Sequence, residues 1–284
     1  MISIIVSTKN EEKNLERLLA SIKNQTYQDW EVIVVDNNSS DQTKAIAQKY
    51  TPLVFNYGPE RSAQRNFGAK QARGEYVLIL DADMELEENV LAECAEVVGS
   101  DKSRFNRDKI GVDKTSTLKA LIVPERSTSQ NFWGRCKAYE RSFYVGDETI
   151  EAARFFNRQI FDQLGGYDTA MTGPEDYDLS YRVRQKYQIG RIGSFIIHHE
   201  GAPSLWQLMK KKFYYAKHAK AYYAKYPGLR LSQGNLLLRP AFIRGWMKLI
   251  SHPVLTLGLV IMRSCETAGA LAGFLLSGTV KMKN

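Results

Sequence analysis

The feature that most constrains this chain is a repeated unit of apolar run, polar turn and amphipathic segment. Ile2 to Ser7, Glu31 to Asp36 and Tyr76 to Asp81 are short and apolar almost throughout, as expected of strands buried on both faces. Between the first two, Leu15, Leu18, Leu19 and Ile22 recur at helical spacing, with Asn10 positioned to cap that helix. The segment Asn37 to Thr43 supplies caps for a helix carrying Ala45, Ile46 and Ala47. Leu53 to Tyr57 adds a further strand, and Ser62 to Ala72 a helix ended by Gly74. Strand and helix alternating at this spacing predict parallel βαβ units, hence an α/β fold with a doubly wound, mostly parallel sheet.

Ligands of such sheets bind beyond the carboxyl ends of the strands. Those ends carry Thr8 to Glu12, Asp36 to Ser39 and Asp81 to Asp83, so carboxylates and amides collect at one edge. Ser7-Thr-Lys-Asn-Glu-Glu12 stands where a dinucleotide fold has GxGxxG, and no Walker A pattern occurs, which argues against a dehydrogenase or P-loop enzyme. In Asp81-Ala-Asp83, alternate residues can turn two carboxylates into one cavity. Such hard oxygen ligands suit Mg²⁺ or Mn²⁺ bridging the phosphates of a nucleotide; the plainer reading is a pair of exposed turn acids. No Ser/His/Asp or Cys/His arrangement points to a covalent nucleophile.

Farther along, Gly99 to Lys114 is polar and aperiodic and is expected to be a mobile loop. Thr117 to Pro124 predicts a strand, and Glu148 to Phe156 a continuation of the fold. Arg158 to Leu164 predicts a helix closed by Gly165-Gly166, Asp176 to Tyr187 another, and Arg191 to Ile197 a strand ending in His198-His199. Cys94, Cys136 and Cys265 are too scattered for a disulfide framework or zinc knuckle, which favours a reducing, cytosolic setting. The opening Met-Ile-Ser-Ile-Ile-Val reads as a strand, not a signal peptide.

The net charge of +8 hides an asymmetry: from Pro203 onward there are 13 basic residues and one acid, Glu266. Two parts are therefore expected, 1–202 and a helical tail over 203–284. Trp206 to Tyr226 interleaves lysines with aromatic rings, a composition suited to an anionic headgroup layer and also able to stack on RNA. Pro253 to Met262 and Thr267 to Gly278 are apolar but interrupted by Arg263 and Glu266, and neither reaches the roughly 20 residues that span a bilayer. Burying both charges in lipid is costly. Two short interfacial or re-entrant helices, or a helical hairpin, are expected on an anionic membrane, and no nucleic-acid partner.

The stretch SIIVSTKNEEKNLERLLASIKNQTYQDWEVIVVDNNSSDQT, then RSAQRNFGAKQARGEYVLILDADM, then GGYDTAMTGPEDYDLSYRVRQ resembles family 2 glycosyltransferases of GT-A fold, in order and over residues 2 to about 200. The resemblance implies that Asp36 bonds the nucleobase, with the backbone near Thr8 in the same pocket and Glu12 shaping it. Asp81 would face the ribose, Asp83 would hold a divalent cation, Mg²⁺ or Mn²⁺, against the diphosphate, and Arg61 or Arg65 would pair with that diphosphate. Asp176 would be the catalytic base with Glu175 beside it, and His198 or His199 would complete the metal or diphosphate site, the residues alone leaving that choice open. Trp133, Glu140 and Arg141 fall in the region that meets acceptors in this fold, packing and surface charge being the plainer reading.

The implied activity is inverting, metal-dependent transfer from a nucleotide sugar, UDP-linked more than GDP-linked, to a lipid-linked or polyprenyl phosphate acceptor at the cytoplasmic face of the membrane. A nucleotidyltransferase is the nearest enzymatic alternative, but its glycine- and basic-rich loop after the first strand is missing. A membrane- or RNA-binding module on a degenerate fold is the non-enzymatic one; intact Asp36, Asp81, Asp83 and Asp176 speak against it.

Overall fold

The computed structural model describes residues 1–107, 118–147, 150–171, 173–226 and 239–276. The chain runs β1 (Ile2–Thr8), α1 (Leu15–Lys23), β2 (Trp30–Asp36), α2 (Thr43–Gln48), β3 (Val54–Asn56), α3 (Arg61–Gln71), β4 (Tyr76–Asp81), β5 (Met84–Leu86) and α4 (Val90–Arg107). It continues with β6 (Leu118–Ile122), β7 (Glu125–Thr128), α5 (Phe132–Arg141), β8 (Phe155–Asn157), α6 (Arg158–Gln163), α7 (Glu175–Arg184), β9 (Gln188–Arg191) and β10 (Ile196–His199). The last elements are α8 (Leu205–Lys225), α9 (Pro240–Arg244), α10 (Trp246–Ser251) and α11 (Pro253–Leu276).

Packing divides the chain into two units: one of Met1–Glu125, Ala152–Thr169 and Glu175–His198, the other of Arg126–Glu151, Ala170–Pro174 and His199–Asn284. The first holds a seven-stranded sheet in the order β3-β2-β1-β4-β8-β6-β9. β1 is parallel to β2 and β4, and β2 to β3, while β8 runs antiparallel between β4 and β6. All seven residues of β1 are buried, because successive side chains enter opposite cores. Ile4 and Val6 pack with Leu15, Leu18 and Ile22 of α1, whereas Ile5 packs with Ala69 of α3 and Leu179 of α7.

Three local expectations are corrected. Asn10 does not cap α1: it sits at φ 55° and its Oδ1 accepts from the Ser40 amide at 2.9 Å, tying the β1 turn to the β2 turn. Of the expected mobile loop Gly99 to Lys114, the part through Arg107 is helical, because α4 continues from the buried series Val90, Leu91, Cys94 and Val98; residues 108–114 lie outside the described ones. Arg191 to Ile197 is not one strand. The chain breaks at Gly193-Ser194, whose amides donate to Oε2 of Glu93, so that β9 joins the main sheet and β10 pairs antiparallel with β5.

The second unit is mostly helical. Where two short apolar helices or a hairpin are expected, α11 is continuous over 24 residues, long and apolar enough by length and composition to cross a membrane. It continues through Arg263 and Glu266 because both are neutralised inside the protein. Arg263 Nη1 lies 2.8 Å from Glu140 Oε1 and 3.0 Å from Glu266 Oε2, and Lys137 Nζ lies 2.7 Å from Glu140 and 3.1 Å from Glu266. Tyr144 donates to Glu140 as well. Glu140 is thus a buried member of an ion network. Burial alone would raise its carboxyl, yet Lys137 and Arg263 hold it well below the carboxylate range. Glycines bring α11 against α8: a Cβ on Gly269 or Gly273 would collide with the carbonyl oxygen of Met209 or Phe213.

Candidate active site

The parallel register sets the site. Thr8 is level with Asp36 and Ser7 with Asp81, so the carboxyl ends of β1, β2 and β4 open on one rim. Asp36 is fully buried there. Its Oδ1 accepts from Thr8 Oγ1 at 3.0 Å and its Oδ2 from the Ser39 amide at 2.8 Å, with Lys44 Nζ at 3.5 Å. Held on three sides, the carboxylate keeps a fixed orientation.

Arg65, on the buried face of α3, has no exposed surface, and its guanidinium joins the two ends of the predicted site. Nη2 lies 2.7 Å from Asp81 Oδ1, and Nη1 lies 3.0 Å from Asp176 Oδ1 and 3.7 Å from Glu175 Oε1. The same group sits 5.1 Å from the ring centroid of Tyr167. Burial works against the charge on Arg65, but Asp81 and Asp176 outweigh it and raise its pKa. Burial likewise pushes the Asp81 carboxyl up, yet Arg65, then Arg61 and Arg154, bring it far below the carboxylate range. Arg61 differs: it bonds Glu175 Oε1 at 2.9 Å but keeps 41% of its side chain exposed, so it is the one of the pair that reaches solvent. Glu175 is buried, and burial followed by Asp176 raises its pKa against the pull of Arg61 and Arg65. Asp178, two residues on, is taken up by Arg182 at 2.6 Å, which also donates to the Leu164 and Gly166 carbonyls. It braces α7 and leaves Asp176, the more exposed acid, on the rim.

The strand pairing distinguishes the two histidines. His198 is level with Met84 and its Nε2 lies 3.5 Å from Asp83 Oδ2, whereas the ring of His199 faces Thr128 Oγ1 at 3.3 Å. Asp83 Oδ1 is buried and accepts no hydrogen bond. Among the described residues no group of three His, Cys, Asp or Glu converges as a closed metal site. An Asp–His pair with an unsatisfied carboxylate oxygen fits a cation that takes its remaining ligands from phosphate oxygens and water.

Glu12 is exposed: its Oε2 accepts from the Gln42 amide at 3.2 Å, bracing the turn. Its neighbour Glu11 is half-buried and accepts from Asn14 Nδ2 at 2.8 Å. Burial raises the Glu11 carboxyl; Asn14 opposes this, while Asp83 and Asp81 add to the rise. Two adjacent glutamates give no sequence signal that the first is half-buried and the second exposed. Arg154, 3.8 Å from Asp81 and bonded to Glu125, was equally illegible, coming from a short segment with no motif around it.

A model of glycosyl transferase family 2 matches residues 3–165. A GalNAc(5)-diNAcBac-PP-undecaprenol β-1,3-glucosyltransferase of Campylobacter jejuni is 43% identical over 94 residues, 30% of this chain and 30% of that protein. A β-monoglucosyldiacylglycerol synthase of Trichormus variabilis is 27% identical over 234 residues, 72% of this chain and 46% of its own length. The chain thus spans 30% to 46% of the length of these relatives. Among solved structures, the mannosyltransferase PcManGT of Pyrobaculum calidifontis, in complex with GDP-Man and Mn²⁺, superposes with a TM-score of 0.61 at 19% identity over 96% of this chain and 86% of that one. TarS 1–349 of Staphylococcus aureus, in complex with UDP, gives 0.54 at 15% identity over 97% and 89%. The fold is the α/β sheet of GT-A proteins, and the family match points to the same class. The chain belongs to glycosyl transferase family 2.

Proposed function

We propose that the protein is an inverting, metal-dependent enzyme that moves a sugar from a nucleotide-sugar donor, UDP-linked by preference, to a membrane-linked acceptor such as a polyprenyl phosphate or lipid-linked glycan. It works at the cytoplasmic face, held peripherally or monotopically. The observation that supports this reading is the rim at which β2 ends in Asp36 and β4 in Asp81, with Arg65 joining Asp81 to Asp176. The names of relatives point the same way: undecaprenol and diacylglycerol are acceptor words in two of them, and TarS is solved with UDP and with UDP-GlcNAc.

The chemistry follows from the residues. Asp36 presents oriented acceptor oxygens to a nucleobase N–H. Asp81 is kept ionised by Arg65 and accepts from ribose hydroxyls. Asp83 and His198 would hold the divalent cation, which when bound neutralises charge on the departing diphosphate. Asp176 takes the proton of the acceptor hydroxyl as that oxygen attacks the anomeric carbon. With one base and no covalent nucleophile, a single in-line displacement inverts the anomeric centre. Thermal shift and donor hydrolysis across UDP- and GDP-sugars, with and without Mn²⁺, test the reading. Stabilisation and turnover by a UDP-sugar only with the cation are expected; equal behaviour in EDTA, or a response to nucleoside triphosphates alone, would overturn it.

A further inference from the structure

Helix α11 is amphipathic in the wrong sense for a water-facing helix. Its charged residues, Arg263 and Glu266, are 3% and 1% exposed, while its outward stripe is apolar: Val254, Leu257 and Leu275 are 69%, 63% and 78% exposed. Surface helices of soluble proteins place charge outward. The stripe extends back through α9 and α10 at the same three- or four-residue spacing, by way of Ile243, Trp246 and Ile250. Of the sixteen exposed large apolar residues among those described, eleven lie between Ile243 and Leu276, far more than scattered surface hydrophobics explain.

We propose that this stripe seats on the headgroup–acyl boundary of an anionic bilayer, with α9 to α11 lying in the membrane plane and α11 half-immersed without crossing. The inference rests on the membrane-linked acceptor read above. Two observations commit it to lipid. The segment from Pro203 onward carries 13 basic residues against one acid, which complements an anionic leaflet and would repel a second copy of itself. The ion network explains why α11 stays in plane: a crossing would carry Arg263 and Glu266 into hydrocarbon together with Lys137 and Glu140 of α5, or strip them of those partners.

The test uses the full chain. Wild type, Leu257→Glu and Ile261→Glu are floated with vesicles of phosphatidylglycerol and phosphatidylcholine, and with phosphatidylcholine alone. Wild type should float with the anionic vesicles. Each substitution should weaken binding by about tenfold or more, since each removes a large apolar side chain from the lipid and adds a charge. An unchanged melting profile and donor hydrolysis in the same samples would show that the variants fold, and keep a failed surface distinct from a failed enzyme. A fluorophore placed at Val254, Ile261 or Leu275 in a Cys265→Ser background then reports depth through brominated lipids. In-plane seating predicts the same shallow quenching at all three positions. Deep quenching at Ile261 alone marks a crossing helix and overturns the proposal. So does wild type that ignores anionic vesicles but sediments as a dimer that Leu257→Glu dissociates.

Discussion

Arg65 places one guanidinium between Asp81 and Asp176, 2.7 Å from the first and 3.0 Å from the second, with none of its own surface exposed. The proposed ribose acceptor and the proposed base are thereby held by one cation, although more than ninety residues separate them in sequence. We propose that its role is positioning, and that Arg61, which reaches solvent, is the one to meet a diphosphate.

Arg65→Met should destabilise the first unit by about 3 kcal/mol, because it leaves partly buried carboxylates uncompensated. The loss should depend on pH. Asp81 has a depressed folded pKa, so its contribution is full above the ordinary carboxylate range, starts to fall as pH drops below that range, and is lost as pH approaches the depressed folded value. Urea midpoints of wild type and variant should differ most at neutral pH and converge in acid; a gap independent of pH would remove the Asp81 linkage.

The two histidines should separate cleanly. Asp83→Ala should abolish cation-dependent donor turnover, and His198→Ala should raise the Mn²⁺ concentration needed for half-maximal rate on the order of tenfold or more. His199→Ala should leave that titration in place. The reverse order for the histidines would contradict the assignment.

In the second unit, Glu140→Gln removes the acid that Lys137 and Arg263 share and should cost about 3–5 kcal/mol. Chemical denaturation against wild type measures it, and a change below 1 kcal/mol would mean that the network is solvated.

Lys212 adds a second pH signature. Burial, and then the neighbouring Lys137, lower its pKa to about 8. The unfolded chain therefore binds more protons between that value and the ordinary lysine range, and stability should rise with pH across the interval. Lys212→Met should stabilise at pH 7 and flatten the rise; an unaltered slope would assign it to another group.

The sheet was readable in the sequence where burial is two-sided. Ile2–Thr8, Trp30–Asp36 and Tyr76–Asp81 announce themselves because both faces of each strand demand apolar residues. The rim was readable for the same reason, since polar residues at the ends of such strands are conspicuous. What depends on partners distant in sequence was not. Three-residue β5 and the break at Gly193 carry no periodicity, and nothing in Glu11-Glu12 says which side chain is half-buried. Arg263 and Glu266 look like a break between two helices until Lys137 and Glu140, over a hundred residues earlier, are seen to neutralise them.

In the proposed mechanism Asp176 acts as the base of a single displacement while the donor is held elsewhere on the rim. Asp176→Asn preserves shape and removes the basic oxygen. Measured with the preferred nucleotide sugar and Mn²⁺, its turnover should fall by on the order of 10²-fold or more while donor affinity by calorimetry stays near wild type. Turnover close to wild type, or a loss of donor binding as large as the loss of rate, would remove Asp176 from the role of base.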